Sequence, residues 1–161
     1  MITRNWGTFP QPPWTEWLDD GREMRLLRDF RYEDPDGVVW TAGGGEAVDG
    51  ATIPRVFWSI VGGPFEGRYR YASVVHDTEC RSKAHRWRSV HRMFHRGCRA
   101  GGVSPGQALL LYAAVYLFGP RWPTSSAAVA RERMPTHDDA VRLTAWVRAH
   151  LDADLAEVER L

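Results

Sequence analysis

The sequence predicts an α+β fold in which an N-terminal β-hairpin region packs on a C-terminal helical body of about four helices. Three observations carry this reading. Short β-rich runs are confined to the part before Gly43, and the turn-forming cluster Glu33-Asp-Pro-Asp-Gly37 lies between two of them. Near Arg70 the pattern then switches to long runs with no internal proline and with apolar residues three and four apart. With 161 residues, 43% of them hydrophobic, the chain reads as one domain over 1–161, long enough to bury a core.

Residues 1–20, rich in Pro and Trp and without a clear period, predict an extended arm lying over the domain. In the β and loop region, 22–67, Arg25–Tyr32 and Val38–Trp40 read as two strands of a hairpin. Gly43-Gly-Gly45 then opens backbone shapes closed to other residues, but no Lys-Ser/Thr follows as a phosphate-binding loop requires. An irregular stretch, Asp49–Trp58, and a loop at Gly62–Gly67 complete the region. In the helical region, 70–160, helices are expected over Arg70–Arg81, Trp87–Ala100 and Pro105–Phe118. Ser104 is placed to cap the third of these, with Pro105 in its first turn. After a connector at 121–135 with an Ala-rich patch, Thr136 caps a last helix with Asp138 and Asp139 in its first turn. That helix is read as continuing to Val158, with a mostly one-sided stripe of Val141, Leu143, Trp146, Val147, Leu151, Leu155 and Val158.

A net charge of +1 from 21 basic and 20 acidic residues excludes the global field of a nucleic-acid binder. The basic residues cluster nonetheless: Arg81, Lys83, Arg86, Arg88, Arg92, Arg96 and Arg99 follow one another with no Asp or Glu among them. Such a run is either a solvated face or a contact for phosphate, whether of a lipid headgroup, nucleic acid or nucleotide; in an enzyme of the cell envelope it would serve an anionic lipid or a cell-wall polymer. No apolar run reaches the length of a membrane span, and Ala108–Phe118 suits a buried helix. The N-terminus has neither an apolar signal core nor a small-residue cleavage site, so nothing marks it for secretion and a cytoplasmic location is expected. Cys80 and Cys98 are too few for a disulfide framework and are read as thiols, Cys98 as a packed bystander. Eight Trp suggest apolar surfaces with polar edges.

The chemistry concentrates at His76-Asp77 and Cys80. On a helix, positions four apart share a face, so His76 lies over Cys80 while Asp77 points about 100° away. A second helix carries His91 and His95 at the same spacing, and packing the two helices would gather His76, Asp77, Cys80 and His91, with Asp49 from the irregular loop, around one pocket. His85 and His95 sit among Arg and Lys on an expected solvated face, and His137 and His150 have no supporting neighbours.

Several linked motifs resemble one family. They are Asp49-Gly-Ala-Thr-Ile-Pro-Arg-Val-Phe-Trp58, Gly67-Arg-Tyr, Ala72-Ser-Val-Val-His76-Asp77, Val90-His91-Arg-Met-Phe94 and Gly102-Val103. Tyr112-Ala-Ala-Val and Phe118-Gly-Pro-Arg-Trp122 extend the likeness, which runs from about Val38 to Trp122. The family comprises small phage and prophage proteins known as domain of unknown function thirteen fifty-three; the resemblance implies a phage origin, with the cytoplasm of a bacterial host or a virion as location, and an α+β domain, and no activity. Many relatives have Tyr where this chain has Cys80 and Asp where it has His91, so the pocket is a variant. A fainter resemblance joins Asp49-Gly-Ala-Thr-Ile-Pro54 and His76-Asp77 to the His-Asp helix of secreted phospholipases A2. It implies His76 as general base toward water and Asp77 as a calcium ligand, a pattern from which Cys80 and His91 depart.

Three chemistries fit these residues. His76 could act as base on water attacking an ester or amide, with Asp49 or Asp77 holding Ca²⁺. Alternatively, His76, Cys80 and His91 could bind Zn²⁺, with Asp77 or Asp49 as fourth ligand or outer acceptor. In the third, Cys80 is a nucleophile activated by His91 or His76. The expectation is a phage-associated hydrolase acting on the cell envelope; the rival is a non-catalytic virion or host-interaction protein in which His76-Asp77 is a structural pair.

Overall fold

The computed structural model describes residues 4–49, 53–63, 67–123 and 133–161. Gly50-Ala51-Thr52 of the irregular stretch, residues 64–66 of the following loop and the Ala-rich patch at 124–132 lie outside the described residues. The strands are Thr15–Trp17 (β1), Met24–Leu26 (β2), Phe30–Glu33 (β3), Val39–Ala42 (β4) and Ala47–Val48 (β5). A 3-10 turn at Arg55–Phe57 leads into the helices Trp58–Val61 (α1), Arg70–Ser82 (α2), Trp87–Ala100 (α3), Pro105–Phe118 (α4), His137–Ala149 (α5) and Leu155–Val158 (α6). The fold is α+β, two small antiparallel sheets followed by helices.

β3 and β4 form the expected hairpin, in register from Phe30↔Ala42 to Glu33↔Val39. Its loop is closed by Asp34, whose Oδ1 accepts the N–H groups of Asp36 and Val38 at 2.9 Å, and by Gly37 at φ 83°. Alternation sorts the faces: Phe30, Tyr32, Trp40 and Ala42 point inward, while Arg31, Glu33, Val39 and Thr41 do not. The run Arg25–Tyr32 is two strands, however. The chain bends at Leu27–Asp29, and β2 pairs with β1 and β5 in a separate sheet of order β1-β2-β5. The N-terminal arm is thus partly built into the sheets: it supplies the edge strand β1, and Thr8 bridges to Glu33.

α4 begins as its sequence demands, with Ser104 Oγ accepting the Gln107 N–H at 3.3 Å and Pro105 following. Every residue from Ala108 to Tyr116 is buried, which accounts for its near-continuous apolar sequence. The last helix departs from expectation. It breaks after Ala149 because Asp154 and Glu157 form a capping box, each side chain accepting the other's backbone N–H, at 2.9 and 3.2 Å, and starting α6 afresh. The apolar stripe breaks with it: Leu143, Val147 and Val158 are buried, but Val141 and Leu151 are 49% and 60% exposed.

Two cores flank the α2–α3 pair. On one side the inward residues of β2 to β5 pack on Val74, Val75, Val90 and Met93, with Trp122 closing the edge. On the other, Ala72, Phe94 and Cys98 face α4 and α5. The helix pair is therefore a shared wall, covered on both faces, and all of Ala72–Cys80 is buried. Among the described residues no helix is long and apolar enough to cross a membrane.

Candidate metal centre

Burial of α2 on both faces is what brings polar groups inside. His76, Asp77 and Cys80 are 0%, 2% and 7% exposed, and His91 of α3 is fully buried. His76 Nε2 lies 2.8 Å from His91 Nδ1. Cys80 Sγ, one turn along α2, is 3.7 Å from His76 Nε2 and 3.9 Å from Nδ1. One ligand atom from each of His76, Cys80 and His91 falls within 4.8 Å of the others. The structure thus brings together three of the candidate residues across the α2–α3 interface.

The tautomers follow from a carbonyl. His91 Nε2 is 3.0 Å from Pro120 O, which can only accept, so Nε2 carries the proton and Nδ1 presents its lone pair. His76 must then donate from Nε2. Around the pair stand aromatic rings: Phe94 lies 4.6 Å from the His76 centroid, and Trp87 and Trp122 meet His91 edge-on. This dry setting penalises the imidazolium. It holds His76 well below the usual histidine range, with the neighbouring His91 adding to the effect, and it brings His91 down to about 4. Pro120 partly offsets the burial of His91, and Arg121 reinforces it. Both rings are neutral near pH 7.

Asp77 and Asp49 form a different cluster. Asp77 Oδ2 accepts the Asp49 backbone N–H at 3.1 Å, and Arg81 Nη2 lies 3.4 Å from that oxygen and 3.2 Å from Asp49 Oδ1. Arg81 also reaches Glu23 and donates to the Ala47 carbonyl. A guanidinium therefore already supplies positive charge between the two carboxylates of the calcium set, a cation built into the fold.

Other residues of the basic run have internal employment too. Arg92 is bidentate to Glu159 at 2.8 Å, and Arg96 pairs with Asp36 and Asp34. His85 bonds Glu79 at 2.8 Å with its side chain 45% exposed. His95, expected in solvent, is instead only 8% exposed. Its flanking Arg residues point outward while it falls on the line that Phe94 and His91 take inward, and the i,i+4 relation to His91 was the signal for this. Sequence reasoning also missed the Pro120 carbonyl, because backbone acceptors leave no mark in residue type.

The chemistry open to the triad is that of a soft or borderline metal. A tetrahedral zinc ion with ordinary bond lengths needs ligand separations of about 3.4 Å between nitrogens and about 3.6 Å between nitrogen and sulfur. The Cys80–His76 separation matches, and the two histidines would part by roughly half an ångström. The His91–Pro120 bond is the outer-sphere contact that aims a ligating imidazole. Asp77 and Asp49 do not join, so among the described residues the group comprises three protein ligands, one fewer than a tetrahedral site takes. Four surface cavities of about 350 to 580 Å³ lie elsewhere, and none is lined by the triad.

The family described as "Protein of unknown function (DUF1353)" matches residues 24–115. Among curated proteins, "Uncharacterized protein y4jT" of Sinorhizobium fredii is 44% identical over 125 residues, covering 76% of this chain and 37% of that protein. "Uncharacterized protein y4iH" of the same organism is 40% identical over 103 residues, covering 64% of this chain and 43% of its own length. The chain thus spans less than half the length of these relatives. No solved structure matches.

Proposed function

This chain belongs to the DUF1353 family, and on that premise we propose that it is a metal-dependent hydrolase domain whose zinc ion is held by His76, Cys80 and His91. The observation that carries the reading is the convergence of two neutral imidazoles and a thiol from two helices, with the His91 lone pair turned inward by Pro120. Bound there, zinc would polarise a carbonyl or lower the pKa of a water for attack on an ester or amide. A base role for His76 itself draws less support, since a sealed imidazole with depressed proton affinity accepts protons poorly near neutrality. Lys83 caps the end of α2, Arg86 and Arg88 stand at the start of α3, and Arg121 acts on His91, so an anionic substrate is the natural class. A phage or prophage setting, which the sequence resemblance implies, would make the lipids and wall polymers of the cell envelope its targets.

A second reading, a non-catalytic protein in which the triad is a structural staple, is favoured by one observation: the three side chains are buried at 0 to 7% exposure. Cobalt(II) titration of purified protein tests both. The expected result is about one ion per chain with thiolate-to-cobalt absorption that Cys80→Ser abolishes. Labelled phospholipids and peptidoglycan, incubated with zinc-loaded and chelated protein, then separate the readings. Metal-dependent product supports the hydrolase; bound metal without product leaves the staple; absence of metal binding removes both metal readings.

A further inference from the structure

One concave site takes no part in the triad. It is a cavity of about 350 Å³ lined by the N-terminal arm, α3, the turn joining α5 to α6 and Leu109 of α4. Arg4 and Arg99 both hold their guanidinium carbons over the Trp6 ring, 4.9 and 5.2 Å from its centroid. Two like charges on one indole repel each other; the anions of the cavity's own lining are Asp152 and Asp154, and Arg99 also donates to the Val103 carbonyl. Neither Arg4 nor Arg99 takes part in an ion pair among the described residues. Arg96, on the same wall, is already balanced by Asp36 and Asp34.

His95 supplies an independent observation. It lines this cavity, is more than nine-tenths buried, and its Nδ1 has no hydrogen-bond partner. A buried polar nitrogen without a partner is uncommon enough to need a cause, such as a ligand. We infer that this cavity binds a phosphate-sized oxyanion between Arg4 and Arg99 with His95 as a third contact, the anion being carried by a lipid headgroup or by a soluble phosphoester. Asp152 and Asp154 also line the cavity; their charge opposes any anion and a polyanion such as nucleic acid most, so a single compact group seated on the arginines is the class expected. The site stands apart from the metal reading, because none of its residues belongs to the triad.

Its occupancy is coupled to a proton. Burial first, then Arg99, Arg4 and Arg96, lower the His95 proton affinity to about pKa 4. Of the other groups around it, Tyr112 meets its ring edge-on, and Asp152 and Asp154 share the cavity. An anion among the arginines offsets their repulsion, so His95 should take up a proton as the anion binds, and binding should tighten as pH falls.

Calorimetric titration of the full chain with inorganic phosphate at constant ionic strength in chloride tests this. Arg4→Gln is the fold-safe variant, since Arg4 is exposed on the arm; Arg99→Gln is the second, with thermal melts as a folding control. Each is expected to weaken phosphate roughly tenfold, since each removes a charge-assisted donor. Sulfate, which does not titrate where histidine does, should bind more tightly at lower pH in wild type but not in His95→Gln. Vesicles of phosphatidylcholine with and without phosphatidic acid distinguish the sources. Phosphate-competed binding to the acidic vesicles identifies a headgroup, and binding of free phosphate alone identifies a soluble ester. Absence of binding to either probe, or equal affinity in wild type and the folded Arg4→Gln variant, would overturn the proposal.

Discussion

A Cβ placed at Gly97 of α3 would lie 3.0 Å from the Ala72 methyl of α2. The two helices are antiparallel, so this close contact lies along the same seam as the contact between His76 and His91. Replacing Gly97 by Ala removes a helix penalty of up to about 1 kcal/mol, but the overpacking it creates costs about 1–3 kcal/mol. The Ala72 Cβ is anchored to backbone and cannot yield, so the second effect is expected to win. Urea denaturation should show net destabilisation of about 1 kcal/mol for Gly97→Ala and clearly more for Gly97→Val. A stabilised Gly97→Ala protein would show that the seam relaxes freely.

Acid should unfold the metal-free protein early. His76, His91 and His95 all have folded-state proton affinities below the ordinary 6.5, the last two at about 4. Between those values the unfolded chain binds more protons than the folded one, so stability is complete above about pH 6.5 and is lost as pH falls toward 4. His91 and His95 would each account for on the order of 3 kcal/mol, a large part of a typical domain's stability. Circular dichroism against pH should show the transition in this window, and a folded His95→Gln variant should move it to lower pH.

Asp77 is expected to be a structural anchor. Asp77→Ala leaves the Asp49 N–H without its acceptor and the Arg81 charge without its most buried partner, at a cost of about 2–3 kcal/mol. Asp77→Asn keeps an acceptor and should cost less, because the Arg81 guanidinium is 43% exposed and its pairing is screened. Thermal melts of the two variants check the order; equal losses would mean that the ion pair, not the hydrogen bond, sets the stability.

Zinc binding at pH 7 should release about one proton per ion, because both imidazoles are already neutral and only the Cys80 thiol must ionise. His76 only moves its proton from Nε2 to Nδ1. Calorimetry in buffers of different ionisation enthalpy measures the number. Cys80→Ser should abolish the release, and a value near three would mean that the histidines are charged before binding.

The helices α2 to α4 were legible because their apolar residues keep a three/four period without interruption and Ser104-Pro105 announces the start of α4. β1 and β5, three and two residues long, are too short to show a period, and they exist through pairing with β2. The break before α6 was hidden because Leu151 and Leu155 continue the helical spacing that the Asp154–Glu157 capping box interrupts. At the site, the divergence of Asp77 from His76 was readable from helical geometry. The hold of Arg81 on Asp77 and Asp49 was not, since it depends on the path of a loop that no local pattern specifies.

Trp122 donates its indole N–H to the His85 carbonyl at 2.9 Å, and with Trp87 and Phe94 it walls the triad. An ion could enter or leave such a chamber only when the helix pair or that tryptophan swings aside, so exchange would be timed by local opening and not by diffusion. Occupancy would then record history. A chain that closed around zinc during synthesis would shed it only slowly in later scarcity, and one that closed empty would fill at the pace of that opening, reaching full occupancy only after long equilibration.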